Sequence, residues 1–213
     1  MNRARNNLAF AALLLGCAAL LSACFAGPRP GTLHVLRPLA QERLGPAFAG
    51  FHEMILVMPV RLAPQLQGRG LLFRDAAGET TASLSHRWAG PLDQQIAETI
   101  AGNLKTLLAT DNVAVSPGPR YGVTRYQLEV EISEFGGDAD AFTLRAVQTL
   151  NDAAAKTMLL RKSFTTTRTI DKPDHSGYVE AASQAVAELS FAAAETLIAA
   201  RQSPPAPRGR HEN

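Results

Sequence analysis

The sequence predicts an α+β domain of two layers, a mainly antiparallel β-sheet with two main helices packed on one face. Three observations carry that prediction: apolar and polar residues alternate from Tyr126 to Phe135, an apolar residue stands at every fourth position from Leu92 to Leu108, and an alanine-rich segment runs from Ser176 to Ala200. Alternation turns one side of a strand toward a core, and spacing of three to four residues turns one stripe of a helix toward it. Strands, a helix, more strands and a final helix then give a sheet with two helices to cover it.

Residues 1–23 read as a targeting signal rather than as part of the fold. Arg3 and Arg5 precede an apolar run from Leu8 to Leu21, and Leu21-Ser22-Ala23-Cys24 closes it. The run is shorter than the roughly 18 residues of a spanning helix. Its ending resembles the lipobox of bacterial lipoproteins, which implies a palmitate-type lipid on Cys24 and a cut just before it. Cys17 lies in a second such ending, but a cut there would leave the apolar stub Ala18–Leu21, so Cys24 is the expected lipidation site. Each buried methylene contributes about 0.8 kcal/mol, and two or three acyl chains make an anchor durable. With its one mature cysteine blocked, the chain is expected to have neither a disulfide nor a thiolate metal site.

Residues 24–31 contain Gly27, Pro28, Pro30 and Gly31 and read as an extended tether. The domain is expected over residues 32–201. Thr32–Arg37 and Met54–Val60 have the length and composition of buried strands, the second closed by Pro59, and Gly70–Arg74 is a weaker third. Pro91 opens a helix whose apolar stripe is Leu92, Ile96, Ile100, Leu104 and Leu108, with Asp93 complementing the dipole.

Tyr126–Phe135 presents Tyr126, Leu128, Val130 and Ile132 on one face and Gln127, Glu129, Glu131 and Ser133 on the other. Gly136-Gly137-Asp138 turns it into Ala141–Leu150, and Asn151-Asp152 turns that into Lys156–Ile170, an antiparallel meander. The final helix covers it through Val179, Ala182, Val186, Leu189, Ala193 and Leu197. Residues 202–213 carry three prolines and are expected to be disordered.

The chain has 21 Lys+Arg and 19 Asp+Glu, and Arg3 and Arg5 leave with the signal. A mature domain so close to neutral argues against a nucleic-acid partner and against a polybasic grip on lipid. Asp171, Asp174 and His175 beside Ser176 invite an acid/base reading, but a polar loop capping the last helix is the reading taken. His34, His52, His86, His175 and His211 lack the spacings that gather ligands, so no metal is expected. Gly68-Arg69-Gly70 and Gly136-Gly137 lack the Lys-Ser/Thr of a phosphate loop, and no Gly-x-Ser-x-Gly elbow occurs. A noncatalytic protein without a cofactor, other than its covalent lipid, is therefore expected.

Ile55-Leu56-Val57-Met58-Pro59-Val60-Arg61-Leu62, followed by Arg87-Trp88-Ala89-Gly90-Pro91-Leu92, resembles the ABC-type transport auxiliary lipoprotein family, which includes the paraquat-inducible protein C-like lipoproteins. Pro59, Arg87, Trp88, Pro91 and Leu92 carry the motif. Gly90 departs from a commoner acidic residue, and Thr32-Leu33-His34-Val35-Leu36 replaces a more tyrosine-rich strand. The resemblance implies an accessory subunit, anchored to the outer membrane and facing the periplasm. Its partner would be the mammalian-cell-entry type protein of an ABC lipid transporter that maintains envelope integrity. Phe25 after Cys24, where an aspartate would favour inner-membrane retention, is the residue that points outward.

Two alternatives belong to the same scaffold, lipopolysaccharide assembly and activation of peptidoglycan synthesis. Exposed strand edges also allow a homo-oligomer. Trp88 either locks the Pro91 helix to the sheet or anchors a partner, the first being the reading taken. Arg87 is left open between stacking on Trp88, pairing with a carboxylate and facing headgroups.

Overall fold

The computed structural model describes residues 31–38, 50–119 and 122–202. The signal, Cys24 and nearly all of the tether and tail lie outside the described residues. A compact unit begins at Thr32. Its elements are β1 (Thr32–His34), β2 (Met54–Val57), β3 (Arg61–Leu62), a short 3-10 turn (Pro64–Leu66), β4 (Gly70–Arg74), β5 (Thr80–Trp88), α1 (Leu92–Leu108), β6 (Val113–Val115), β7 (Thr124–Gly137), β8 (Ala141–Asp152), β9 (Thr157–Thr169) and α2 (His175–Gln202).

β7 organises the sheet. Along one edge it pairs antiparallel with β8, which pairs antiparallel with β9, so the predicted meander is present and longer than its apolar core. Along the other edge β2, β3 and β4 follow one another in parallel, with Ile55 opposite Tyr126, Arg61 opposite Glu131 and Phe73 opposite Gly137. β6 adds to β2, while β5 and then β1 extend the sheet beyond β4. The antiparallel part dominates, and the parallel part lies where the chain from Met54 to Arg74 runs beside β7.

One continuous core joins this sheet to both helices, which places them on the same face. Leu128, Val130 and Ile132 of β7 and Phe142, Leu144 and Leu150 of β8 meet Ile96, Ile100 and Leu104 of α1 and Ala182, Val186, Leu189, Ala193 and Leu197 of α2. At Ser133 a bulge shifts the register between Ile132 and Glu134. It exchanges the faces of the strand, so Phe135 is buried on the same side as Ile132 although three positions separate them.

Polar bonds inside the core fix the helices. Asn103 Nδ2 donates to Ser190 Oγ at 3.0 Å, joining α1 to α2, and Gln148 Nε2 donates to the Leu189 carbonyl at 2.8 Å, joining β8 to α2. Each is a buried group supplied with a partner, which costs far less than leaving it bare. α1 stops at Ala109, in the left-handed region at φ 47°, whose N–H donates to the Lys105 carbonyl. Tyr178 packs within α2's first turns and donates its hydroxyl to the Leu72 carbonyl at 2.5 Å; burial raises its pKa well above the usual phenol range.

Three expectations change. β1 is three residues long and an exposed edge, with Leu33 62% accessible, because it has a neighbour on one side only and little above it. β5 was not foreseen, since Thr80–Trp88 is mostly polar and exposed, forms an outlying hairpin with β4, and buries only Trp88 at its end. β3 and β6, two and three residues long, carry no periodicity of their own.

Leu104 is fully buried at the helix–sheet contact, and Leu104→Ala is expected to lower unfolding free energy by about 2–5 kcal/mol in urea titrations. A Cβ on Gly137 would lie 2.0 Å from the Ala141 carbonyl oxygen inside the β7–β8 turn. Gly137→Ala is therefore expected to destabilise by about 1–3 kcal/mol although it adds a single methyl, visible as a lowered Tm.

Candidate functional site

Four of the five motif residues, Arg87, Trp88, Pro91 and Leu92, lie where β5 passes into α1, and Pro59 stands apart, just past β2. Trp88 ends β5, is 2% exposed, packs with its ring centroid 6.0 Å from that of Phe135, and donates its backbone N–H to the Arg69 carbonyl at 2.7 Å. Its apolar surface is used inside the domain. Leu92 is buried at the start of α1, while Pro91 precedes it as an exposed N-cap at φ −56° and Pro59 stands exposed just past β2. Arg87 is exposed and takes no part in the cation–π contacts among the described residues, which join Arg125 to Tyr126 and Arg201 to Phe51.

A residue outside the predicted motif ties this corner together. Gln95 Nε2 donates to the Gly90 carbonyl at 3.3 Å, and Gln95 Oε1 accepts the Leu36 N–H at 3.2 Å. One amide thus bridges α1, the motif loop and the segment after β1. As a polar residue off the apolar stripe of α1, it gave no signal.

The sheet face away from the helices carries charge. Arg61 Nη2 lies 2.5 Å from Glu131 and 3.2 Å from Glu129, and Arg161 reaches Glu131 at 3.2 Å. Hydrogen bonds from Arg61 and then Arg161 hold the Glu131 carboxyl below its usual pKa. Glu134 is flanked by Arg74 at 2.8 Å and Arg145 at 3.2 Å. Partial burial works to raise its pKa, but hydrogen bonds from the two arginines outweigh this and the net direction is down. Exposed pairs of this kind add little to stability, so their role lies in the surface they present.

Beside Glu134 the surface dips into a groove of about 450 Å³ lined by Leu66, Leu72, Arg74, Thr80, Glu134 and Arg145 among others. Its lining is mainly polar and carries two guanidinium groups sharing one carboxylate. Such a surface suits polar or acidic groups of a partner.

Asp174 caps α2: its Oδ1 accepts the Gly177 N–H at 2.8 Å, and its carbonyl accepts the Tyr178 N–H at 3.0 Å. That is the capping role read from the sequence. His175 turns instead toward β5 and stacks on His86, with ring centroids 3.4 Å apart and planes 8° from parallel. His34 Nε2 is 3.1 Å from His86 Nδ1. Three histidines that are scattered in the sequence thus meet, because β1 and β5 pair side by side and α2 begins above them. Among the described residues no group of three or more His, Cys, Asp or Glu is arranged to hold a metal ion.

Among the described residues no helix is long and apolar enough to cross a membrane. The family model of the ABC-type transport auxiliary lipoprotein component matches residues 35–194, nearly the whole folded unit. Over 103 residues the chain is 29% identical to the intermembrane transport lipoprotein PqiC of Escherichia coli and, at the same identity, to that of Shigella flexneri. The matched stretch covers 48% of this chain and 54% of each relative, so the chain spans about half the length of the curated relatives it matches. Two crystal structures share the fold at a TM-score of 0.64 each. One is of an uncharacterized protein, 21% identical, covering 79% of this chain and 99% of that one. The other is of protein XCC0632 from Xanthomonas campestris, 18% identical, covering 82% and 98%. With its strand order, its Trp88–Leu92 corner and a family match from residue 35 to residue 194, the chain belongs to the ABC-type transport auxiliary lipoprotein family.

Proposed function

We propose that this protein is the membrane-anchored lipoprotein subunit of an ABC-type system that moves lipid between membranes. The family match over the folded unit carries the reading, and the similarity to intermembrane transport lipoproteins supports the lipid cargo. In this account Cys24 carries the lipid, and Phe25 beside it directs the protein to the outer membrane. The domain hangs in the periplasm without catalysing a reaction. It serves as a scaffold that receives a mammalian-cell-entry type protein reaching across from the inner membrane, and its loss weakens the envelope.

The two faces of the sheet suit that role. One is filled by α1 and α2, and the other, with its arginine–glutamate pairs and the groove at Glu134, carries no α-helix among the described residues. The outer edge strand β9 pairs only with β8 among the described strands, leaving a backbone edge that a partner strand or a second copy can extend.

Affinity isolation of the lipidated protein from gently solubilised envelope is expected to recover a mammalian-cell-entry type protein, and its absence from an otherwise intact complex would refute the partnership. Cys24→Ser is expected to leave circular dichroism unchanged while moving the protein from the membrane pellet to the soluble fraction. Undiminished membrane association of that variant would refute the anchor.

A further inference from the structure

We propose that the His34–His86–His175 stack is a proton-sensitive latch that holds β1 on the domain and releases it when the imidazoles take up protons. Apart from its backbone ladder with β5, continued by the Ala89 N–H donated to the His34 carbonyl at 2.8 Å, the strand has little to hold its first residues. Leu33 is 62% and Val35 57% exposed, so His34 is the one half-buried side chain between Thr32 and Val35. Beyond that point Leu36 is buried, its N–H donates to Gln95, and the Arg37 N–H donates to Ser183 Oγ at 3.1 Å. β1 can therefore peel from its start while Leu36 and Arg37 stay pinned.

The geometry makes the stack intolerant of charge. The His34–His86 contact at 3.1 Å needs one N–H donor and one lone pair, which two imidazolium rings cannot supply. Rings 3.4 Å apart place two positive charges face to face once both His86 and His175 are protonated. From β4 the neighbour is Phe73, edge-on to His175 at 5.4 Å, and Arg74 is occupied with Glu134. On β5 Arg87 is exposed and of the same sign as the charged rings. From α2 come the neutral hydroxyl of Tyr178, donated to Leu72, and Asp174, whose carboxylate already caps Gly177. α1 contributes the uncharged Gln95, bonded at Leu36 two residues along from His34. The carboxylate that opposes the charging of the stack does so at His175.

The direction follows. Burial, then His86 and His175, lowers the pKa of His34; burial and His86 lower that of His175, with Asp174 opposing. Protons then bind the released strand better than the docked one. Docking is at full strength above the ordinary imidazole value of 6.5 and weakens as pH falls below it. The latch stands on the geometry of β1 alone. Its consequence rests on the Cys24 anchor: freeing residues 32–35 would lengthen the lipid tether by about 13 Å, at roughly 3.3 Å per extended residue.

The test is hydrogen exchange read by mass spectrometry on the full lipidated chain in detergent, at about pH 7.5 and about pH 5, corrected for intrinsic rates. Protection of residues 32–35 is expected to fall severalfold at the lower pH while β7 and β8 hold theirs. Acrylamide quenching of Trp88, the only tryptophan and the residue opposite His34, should rise in step. His86→Gln, with His34→Gln as the substitute if it fails to fold, should flatten both responses. Protection independent of pH, an equal loss in the folded variant, or a change that requires added zinc and vanishes with EDTA would each overturn the latch.

Discussion

The structure depends on the double pairing of β7. A strand hydrogen-bonded along both edges has no free backbone to satisfy, and fourteen residues give it room for β8 on one side and for β2, β3 and β4 in succession on the other. Its alternation decides which face is core. The bulge at Ser133 then turns Phe135 inward to meet Trp88 and Phe142, so the far end of the sheet is packed as well as the near one.

From that strand the division of the molecule into two unlike faces follows. Helices α1 and α2, joined by Asn103 and Ser190, seal the apolar side, and the other side holds Arg61, Glu131, Arg161 and the Arg74–Glu134–Arg145 trio. A rigid body with one closed and one open face leaves a wide polar surface for contact, which is the property the proposed accessory role draws on.

What was legible in the sequence was whatever carries its own period. Tyr126 to Ile132 alternate and form β7; Leu92 to Leu108 repeat and form α1; Asp174 before a helical run caps α2. What was not legible depends on partners distant in the chain. Thr80–Trp88 becomes a strand because β4 stands beside it, and its exposed polar residues gave no sign of that. The meeting of His34, His86 and His175 was hidden for the same reason: without β5 as a strand there is no ladder to bring His34 beside His86. Gln95 escaped notice because its role is to bridge two loops, not to fill a stripe.

The part of the family resemblance read from Arg87 to Leu92 lies at the corner where β5 meets α1, and the structure gives it a physical meaning. Trp88 is held by Phe135, which reaches the core only through the bulge in β7, so the motif and the central strand are one construction. Native-state hydrogen exchange at rising denaturant tests this most directly. The β7 amides are expected to be the last to exchange and to do so together with β2 and β8, in a single global opening. Separate opening of the β2–β6 side from the β8–β9 side, with β7 exchanging before either, would contradict it.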